Sequence, residues 1–327
     1  MVGIALIEAP ETVAAAHLDF IDAGAQVITV NSYAVTPFHL GDRFYNQAET
    51  LINTASDMAI AAVSEAKKQA EQQNKTAPEV RIAGCLPPLF GSYRPDLFDE
   101  QLAESIAKPL IIHQQAVADI WLAETVSSVK EAVYWHKFVT QFANTHPAAA
   151  TTENSDPDPI SESRTASKSK SKPFWIAFTL EDSHLDAVTD TESEDVLTAD
   201  APKLRSGESL TEAIMVMLEL GVDAILFNCS QPEVMMRALE TARLLIHSSS
   251  RHIELGVYAN AFAPKQSKAQ ANSALQNLRQ DTTPENYLSW AKQWQQAGAT
   301  IIGGCCGIGT EHIAQLSAHL TQKNGRQ

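Results

Sequence analysis

What most constrains this chain is alternation. Short apolar runs rich in β-branched residues, at 26–32, 80–85, 119–124, 174–180, 224–228, 254–259 and 300–303, read as strands. Around them, 10–23, 46–73, 99–118, 127–142, 209–220, 232–247, 284–297 and 310–323 carry helical periodicity. Pro10 suits a first helical turn, Pro109 a kink, Thr283 and Thr310 N-caps, and Gly24, Gly221 and Gly298 helix stops. Alternating strands and helices call for a parallel sheet with right-handed crossovers. An open doubly wound sheet and a (β/α)8 TIM barrel both satisfy that pattern. The barrel is favoured because candidate functional groups fall at the C-terminal ends of nearly every strand, where such barrels keep their active sites. Seven strands and eight helices are read, and the chain opens on a helix. The expectation is one barrel domain over 1–327, lacking its first strand.

Two segments interrupt the pattern. Residues 144–172 and 182–203 are polar, rich in Ser, Thr, Asp and Glu, and too poor in apolar side chains to order themselves, so they are expected as disordered surface insertions. Part of the formal net charge of -15 lies there. That charge argues against nucleic acid or an anionic membrane as a partner. No apolar run reaches the ~20 residues that cross a bilayer, and the first residues lack the basic start of a secretory signal. A cytoplasmic, reducing location is expected, where the four cysteines point to metal binding or catalysis rather than to disulfides.

Three of those cysteines stand at strand ends. Ile301-Ile302-Gly303-Gly304-Cys305-Cys306-Gly307 ends a strand in glycines and thiols, and Ala224-Ile225-Leu226-Phe227-Asn228-Cys229 ends another in a thiol. Three thiolates suit a zinc ion with one coordination position open. The other readings of the pair are small buried residues, a vicinal disulfide or a redox role. Cys85, without such a context, reads as packing. Glu124 closes an apolar strand, as a functional carboxylate or a solvated one. Asn31, Ser32 and Tyr33 line a pocket or form a strand-to-helix turn; Thr179 sits at a comparable strand end. Tyr33, Phe90, Tyr93 and Tyr258 are aromatic faces placed to hold a cation. The ten histidines show no metal-ligand spacing, and His312 reads as structural.

Gly303-Gly304-Cys305-Cys306-Gly307 with Thr310-Glu311-His312-Ile313, preceded by Asn228-Cys229, resembles the homocysteine S-methyltransferase family. Ala23-Gly24-Ala25-Gln26 to Asn31-Ser32-Tyr33 is similar to that family's second strand, Leu86-Pro87-Pro88 with Gly91-Ser92-Tyr93 to its third, Glu124-Thr125 to its fourth, and Thr179 with Leu204-Arg205-Ser206-Gly207-Glu208-Ser209 to its fifth. The resemblance implies a (β/α)8 barrel, with Cys229, Cys305 and Cys306 as Zn2+ ligands. It implies Glu124 as the carboxylate that holds the homocysteine amino group, Asn228 beside the first ligand, and methyl transfer from S-methylmethionine or a betaine to homocysteine, giving methionine. Asn31, Ser32, Tyr33, Thr179 and Asn228 become substrate-site candidates. The family's first strand carries an Asp-Gly-Gly or Asp-Gly-Ala motif with no counterpart here, so a zinc- or thiol-binding barrel without catalysis is the alternative from another class.

Overall fold

The structure, a computed structural model, describes residues 2–145, 171–183, 201–262 and 278–320. The two polar segments expected as disordered, 144–172 and 182–203, lie almost entirely outside the described residues. In chain order, α1 (Val2–Glu8) and α2 (Pro10–Asp22) precede β1 (Val27–Thr29), and α3 (Pro37–Leu40) and α4 (Arg43–Gln72) precede β2 (Arg81–Leu86). Then come α5 (Glu100–Ile112), β3 (Ile120–Val126), α6 (Val129–Thr145), β4 (Phe174–Phe178), α7 (Leu210–Leu220) and β5 (Ala224–Asn228). The described chain continues with α8 (Pro232–Ser248), β6 (Glu254–Tyr258), α9 (Pro284–Gln296), β7 (Ile301–Ile302) and α10 (Thr310–Leu320).

The seven strands pair in sequence order, every pair parallel. An order that never reverses excludes the doubly wound sheet, which needs a switch point. The sheet curls as in a (β/α) barrel that is one strand short: β1 and β7 are its edges and do not pair with each other among the described residues. The helical layer spans that seam. Gly24 (φ +100°) follows α2, and a Cβ there would stand 2.2 Å from Ser317 Oγ on α10, so glycine lets the last helix approach the first part of the chain.

Side-chain parity builds two apolar layers. Ile82, Trp121, Ile176, Phe178, Ile225 and Val257 point outward to the helices. Ala83, Ile120, Leu122, Trp175, Ala177, Ala224 and Leu226 fill the interior, flanked by Val27, Tyr258 and Ile301. Burial on both faces is why these strands are nearly continuous apolar runs, and each large side chain so buried contributes ~1.5–3 kcal/mol. Arg81 lies over the Trp175 ring at 5.1 Å and covers the lower end of the interior.

Several expected boundaries shift. The short helix α1 was not anticipated. The helix expected over 99–118 stops at Ile112, three residues past Pro109, and Asp99 caps its start by accepting from the Gln101 and Leu102 N–H groups. Strand β3 runs on to Val126, so Glu124 lies within it rather than at its end. Thr310 opens α10 rather than capping it; His312 Nδ1 accepts from the Gly309 N–H instead, while Nε2 lies 2.9 Å from the Thr282 carbonyl. With Nδ1 accepting, the proton is on Nε2, which donates to that carbonyl. No helix among the described residues is long and apolar enough to cross a membrane.

Candidate metal centre

Two residues beyond the interior apolar layer, the same inward parity brings Cys85, Glu124, Thr179 and Asn228 to the C-terminal end of the sheet, with Tyr258 and Gly303 beside them. Cys229 follows Asn228, and Cys305 and Cys306 follow Gly303. Their backbones are tied to neighbouring segments: the Cys229 N–H donates to the Tyr258 carbonyl (3.3 Å), the Cys305 N–H to that of Ala259 (2.9 Å), and the Ala261 N–H to that of Cys306 (2.8 Å). Tyr287 OH donates to the Gly303 carbonyl at 2.8 Å. Gly304 is required by a close approach, since a Cβ there would meet Ile308 Cγ2 at 2.1 Å.

The three sulfurs converge. Cys229 and Cys306 are 3.9 Å apart, as are Cys305 and Cys306, and Cys229 and Cys305 are 2.8 Å apart. Two thiolates on a tetrahedral zinc at ~2.3 Å stand ~3.8 Å apart, which two of the three edges match. The short edge is well beyond a disulfide bond of about 2.05 Å, and none of the three cysteines is in a disulfide. Cys229 is buried, Cys305 half-buried and Cys306 exposed, which leaves an open side to the triad. The Cys305 thiol is held well above its ordinary pKa by its contacts with Cys229 and Cys306 and by burial. Three thiolates crowded this closely need a cation between them, so the donor set fits a thiophilic divalent metal. It is the one group of three or more metal-capable side chains among the described residues.

Glu124 is partly buried, and burial raises its pKa from 4.5 to about 7, opposed by a hydrogen bond from Cys85 and assisted by the Cys229 thiol. The Cys85 thiol donates to Glu124 Oε1 at 3.1 Å. Expected to be packing alone, Cys85 is a polar neighbour of this carboxylate. Gln114 anchors it: Oε1 accepts from the Cys85 N–H (2.8 Å) and Nε2 donates to the Cys85 carbonyl (3.0 Å) and to that of Leu110 (2.7 Å). Ser32, buried beneath the site, donates to the same Gln114 Oε1 at 3.3 Å.

The bulge in β3 between Ala123 and Val126 places Thr125 at φ 59°. Asn228 holds it there, accepting from the Thr125 N–H (3.2 Å) and donating to Oγ1 (3.0 Å). Tyr93 (φ 63°) and Cys229 (φ 50°) are also left-handed, and Tyr93 OH donates to the Cys229 carbonyl at 3.3 Å. Strained non-glycine residues gather here, as they do at functional sites. The Thr179 hydroxyl bonds Ser127 Oγ at 2.9 Å and the Val126 carbonyl at 3.3 Å, which holds it within the β3–β4 junction. Tyr33 OH bonds Ser92 Oγ at 2.5 Å. Asn31 is half-buried, with no hydrogen bond to these groups among the described residues.

Among the aromatic candidates, Tyr93 already faces the Arg205 guanidinium at 5.1 Å, and Phe90 packs edge-on against Phe98 at 5.7 Å. Tyr258 stands apart: its buried hydroxyl has no hydrogen-bond partner among the described residues, and its pKa is raised by burial and then by the charges of Glu124, Cys305, Cys229 and Cys85. It is a polar atom pointing at the space those groups surround. Sequence reasoning also missed the ion pair of Asp182 with Arg205 (2.6 Å), side chains 1% and 4% exposed. Asp182, assigned to the edge of a polar insertion, accepts from the Gln231 N–H at 3.0 Å and so steadies the turn after Cys229. The only available signal was Arg205 itself, within the Leu204 to Ser209 run.

Comparison with known proteins agrees with this geometry. The family model of homocysteine S-methyltransferases matches residues 3–320. The chain is similar to the homocysteine S-methyltransferase of Escherichia coli, 23% identical over 324 residues, 96% of this chain and 86% of that protein. It is similar as well to homocysteine S-methyltransferase 1 of Zea mays, 22% identical over 98% of this chain and 87% of the other. The fold resembles the crystal structure of the E. coli homocysteine methyltransferase MmuM in its metallated form, with TM-score 0.66 and 22% identity over 97% of this chain and 87% of that one. With its parallel strands in barrel order and its family match from end to end, the chain belongs to the homocysteine S-methyltransferase family.

Proposed function

We propose that this chain transfers a methyl group from S-methylmethionine to the sulfur of homocysteine, forming methionine, with zinc held by Cys229, Cys305 and Cys306. The observation that carries this reading is the convergence of three thiols, none in a disulfide, at the C-terminal end of the sheet, open on the Cys306 side. The metallated form of the E. coli relative supports a metal in this chain. Bound zinc would supply the charge that keeps the substrate thiol deprotonated at neutral pH while its sulfur stays nucleophilic.

The chain's own residues supply position. Glu124 receives the homocysteine amino group, and the bulge after it, fixed by Asn228 through Thr125, sets its direction. Tyr258 offers its unpartnered hydroxyl to the bound substrate. Tyr33 and Tyr258 present aromatic surface to the cationic donor. The methyl group leaves a sulfonium, the bonding electron pair departs with a neutral thioether, and no side chain has to give a proton. Alignment of two bound reactants then accounts for much of the acceleration. The reading takes 1–327 as one barrel domain acting in a reducing compartment.

Anaerobically purified, zinc-loaded protein given homocysteine and either S-methylmethionine or a betaine tests this. Methionine formation from the sulfonium donor, abolished by chelation, is expected. Formation only from the betaine would replace the donor assignment. Zinc-bound protein that forms methionine from neither would refute catalysis and leave a thiol-binding barrel.

A further inference from the structure

We propose that Cys85 is the positioning residue for Glu124, and that through this pair the site selects thiols that carry an α-amino group over thiols that lack one. This rests on the reading of Glu124 just given. Cys85 is fully buried on β2, beside β3, and its backbone N–H and carbonyl are both gripped by Gln114. Gln114 is itself saturated: two acceptances, from Cys85 and Ser32, and two donations, to Cys85 and Leu110. The thiol therefore stands on a fixed platform. Its single proton goes to Glu124 Oε1 at 3.1 Å, and this is the one hydrogen bond Glu124 makes among the described residues.

The ionised Glu124 has no donor of its own, so in that state the thiol is the donor. Burial and the facing carboxylate both raise the Cys85 pKa, which keeps that proton on sulfur. With Oε1 held by a neutral donor, Oε2 is left for the cation of an incoming ligand. A free carboxylate on a flexible glutamate would have to be ordered on binding; this one is ordered beforehand. The consequence is selective. Losing the thiol weakens ligands that use Glu124 and leaves ligands that bind only through sulfur untouched.

Calorimetry on the zinc-loaded protein compares homocysteine with 4-sulfanylbutanoate, the same thiol without its amino group. The wild type is expected to prefer homocysteine. In Cys85→Ala the preference narrows about five- to tenfold, the worth of one such hydrogen bond, through weaker homocysteine binding alone. Cys85→Ser, which keeps a donor, restores most of it, and zinc content matches wild type in both variants. An unchanged preference in Cys85→Ala, equal weakening of both thiols, or a Ser variant that behaves as the Ala variant overturns the proposal. If the wild type binds both thiols equally, the role of Glu124 falls and this inference with it. If it binds neither, the zinc–thiol reading itself has failed.

Discussion

Asn228 is the residue whose loss should be felt most widely. Asn228→Ala removes two buried hydrogen bonds to Thr125, at 3.2 and 3.0 Å, which join β5 to the bulge of β3. Each is worth ~1 kcal/mol net, and the Thr125 N–H is left buried without a partner, for a total of ~3–4 kcal/mol. The clamp also holds a β-branched residue at φ 59°, a conformation that costs ~1–3 kcal/mol and persists only when its surroundings enforce it. Thr125→Gly gives a separate handle, because glycine takes positive φ freely and has no hydroxyl to orphan. In the wild-type background it removes one bond to Asn228 and also relieves strain. In the Asn228→Ala background it only relieves strain. The two substitutions should therefore couple by ~1–2 kcal/mol in a double-mutant cycle, with the double variant more stable than Asn228→Ala alone. Denaturant unfolding of the metal-free protein reads this directly. An Asn228→Ala variant within ~0.5 kcal/mol of wild type, or strictly additive substitutions, would refute the clamp.

Two further outcomes follow from buried charge. Burial lifts both Glu124 and Glu131 from 4.5 to about 7; the folded state then holds protons that the unfolded state releases, so their contribution is present below pH 4.5 and is lost as pH rises through 7. Metal-free Glu124→Gln should gain up to ~3 kcal/mol on wild type at pH 8 and close to nothing at pH 4.5, by unfolding at both values; equal differences at the two pH values would sink the assignment. Arg205→Met leaves Asp182 buried without its cation and should cost ~3–5 kcal/mol, largely recovered in the Asp182→Asn, Arg205→Met double variant; a single variant as stable as wild type would show the pair to be dispensable.

How much was legible follows from which physics is local. Strand and helix placement rests on periodicity, and all seven expected strands are found among the described residues because each is a short apolar run, the central ones β3, β4 and β5 buried on both faces. Cysteines at two strand ends were readable because parity alone brings strand ends together at one rim. What escaped depends on contacts across the sequence. Nothing near Cys85 announces that Glu124 stands opposite, 39 positions on, or that Gln114 would grip it. That Asn228 also clamps Thr125 was hidden because this partner is 103 positions away and stands at a bulge no pattern predicted. Asp182 looked like part of a solvated run because its burial depends on Arg205, beyond that run. The end of β3 moved for the same reason: alternation locates a strand, but where a bulge re-aims it is decided by tertiary partners.

The central claim is that Cys229, Cys305 and Cys306 together bind zinc. The direct measurement is zinc content per chain, by elemental analysis of protein purified anaerobically with a thiol reductant and then dialysed. About one zinc per chain is predicted for a single three-thiolate site, with retention falling sharply in each of Cys229→Ser, Cys305→Ser and Cys306→Ser and unaffected in Cys85→Ser. Folded protein that takes up no zinc after reconstitution, or that keeps it when any of the three thiols is removed, would contradict the account.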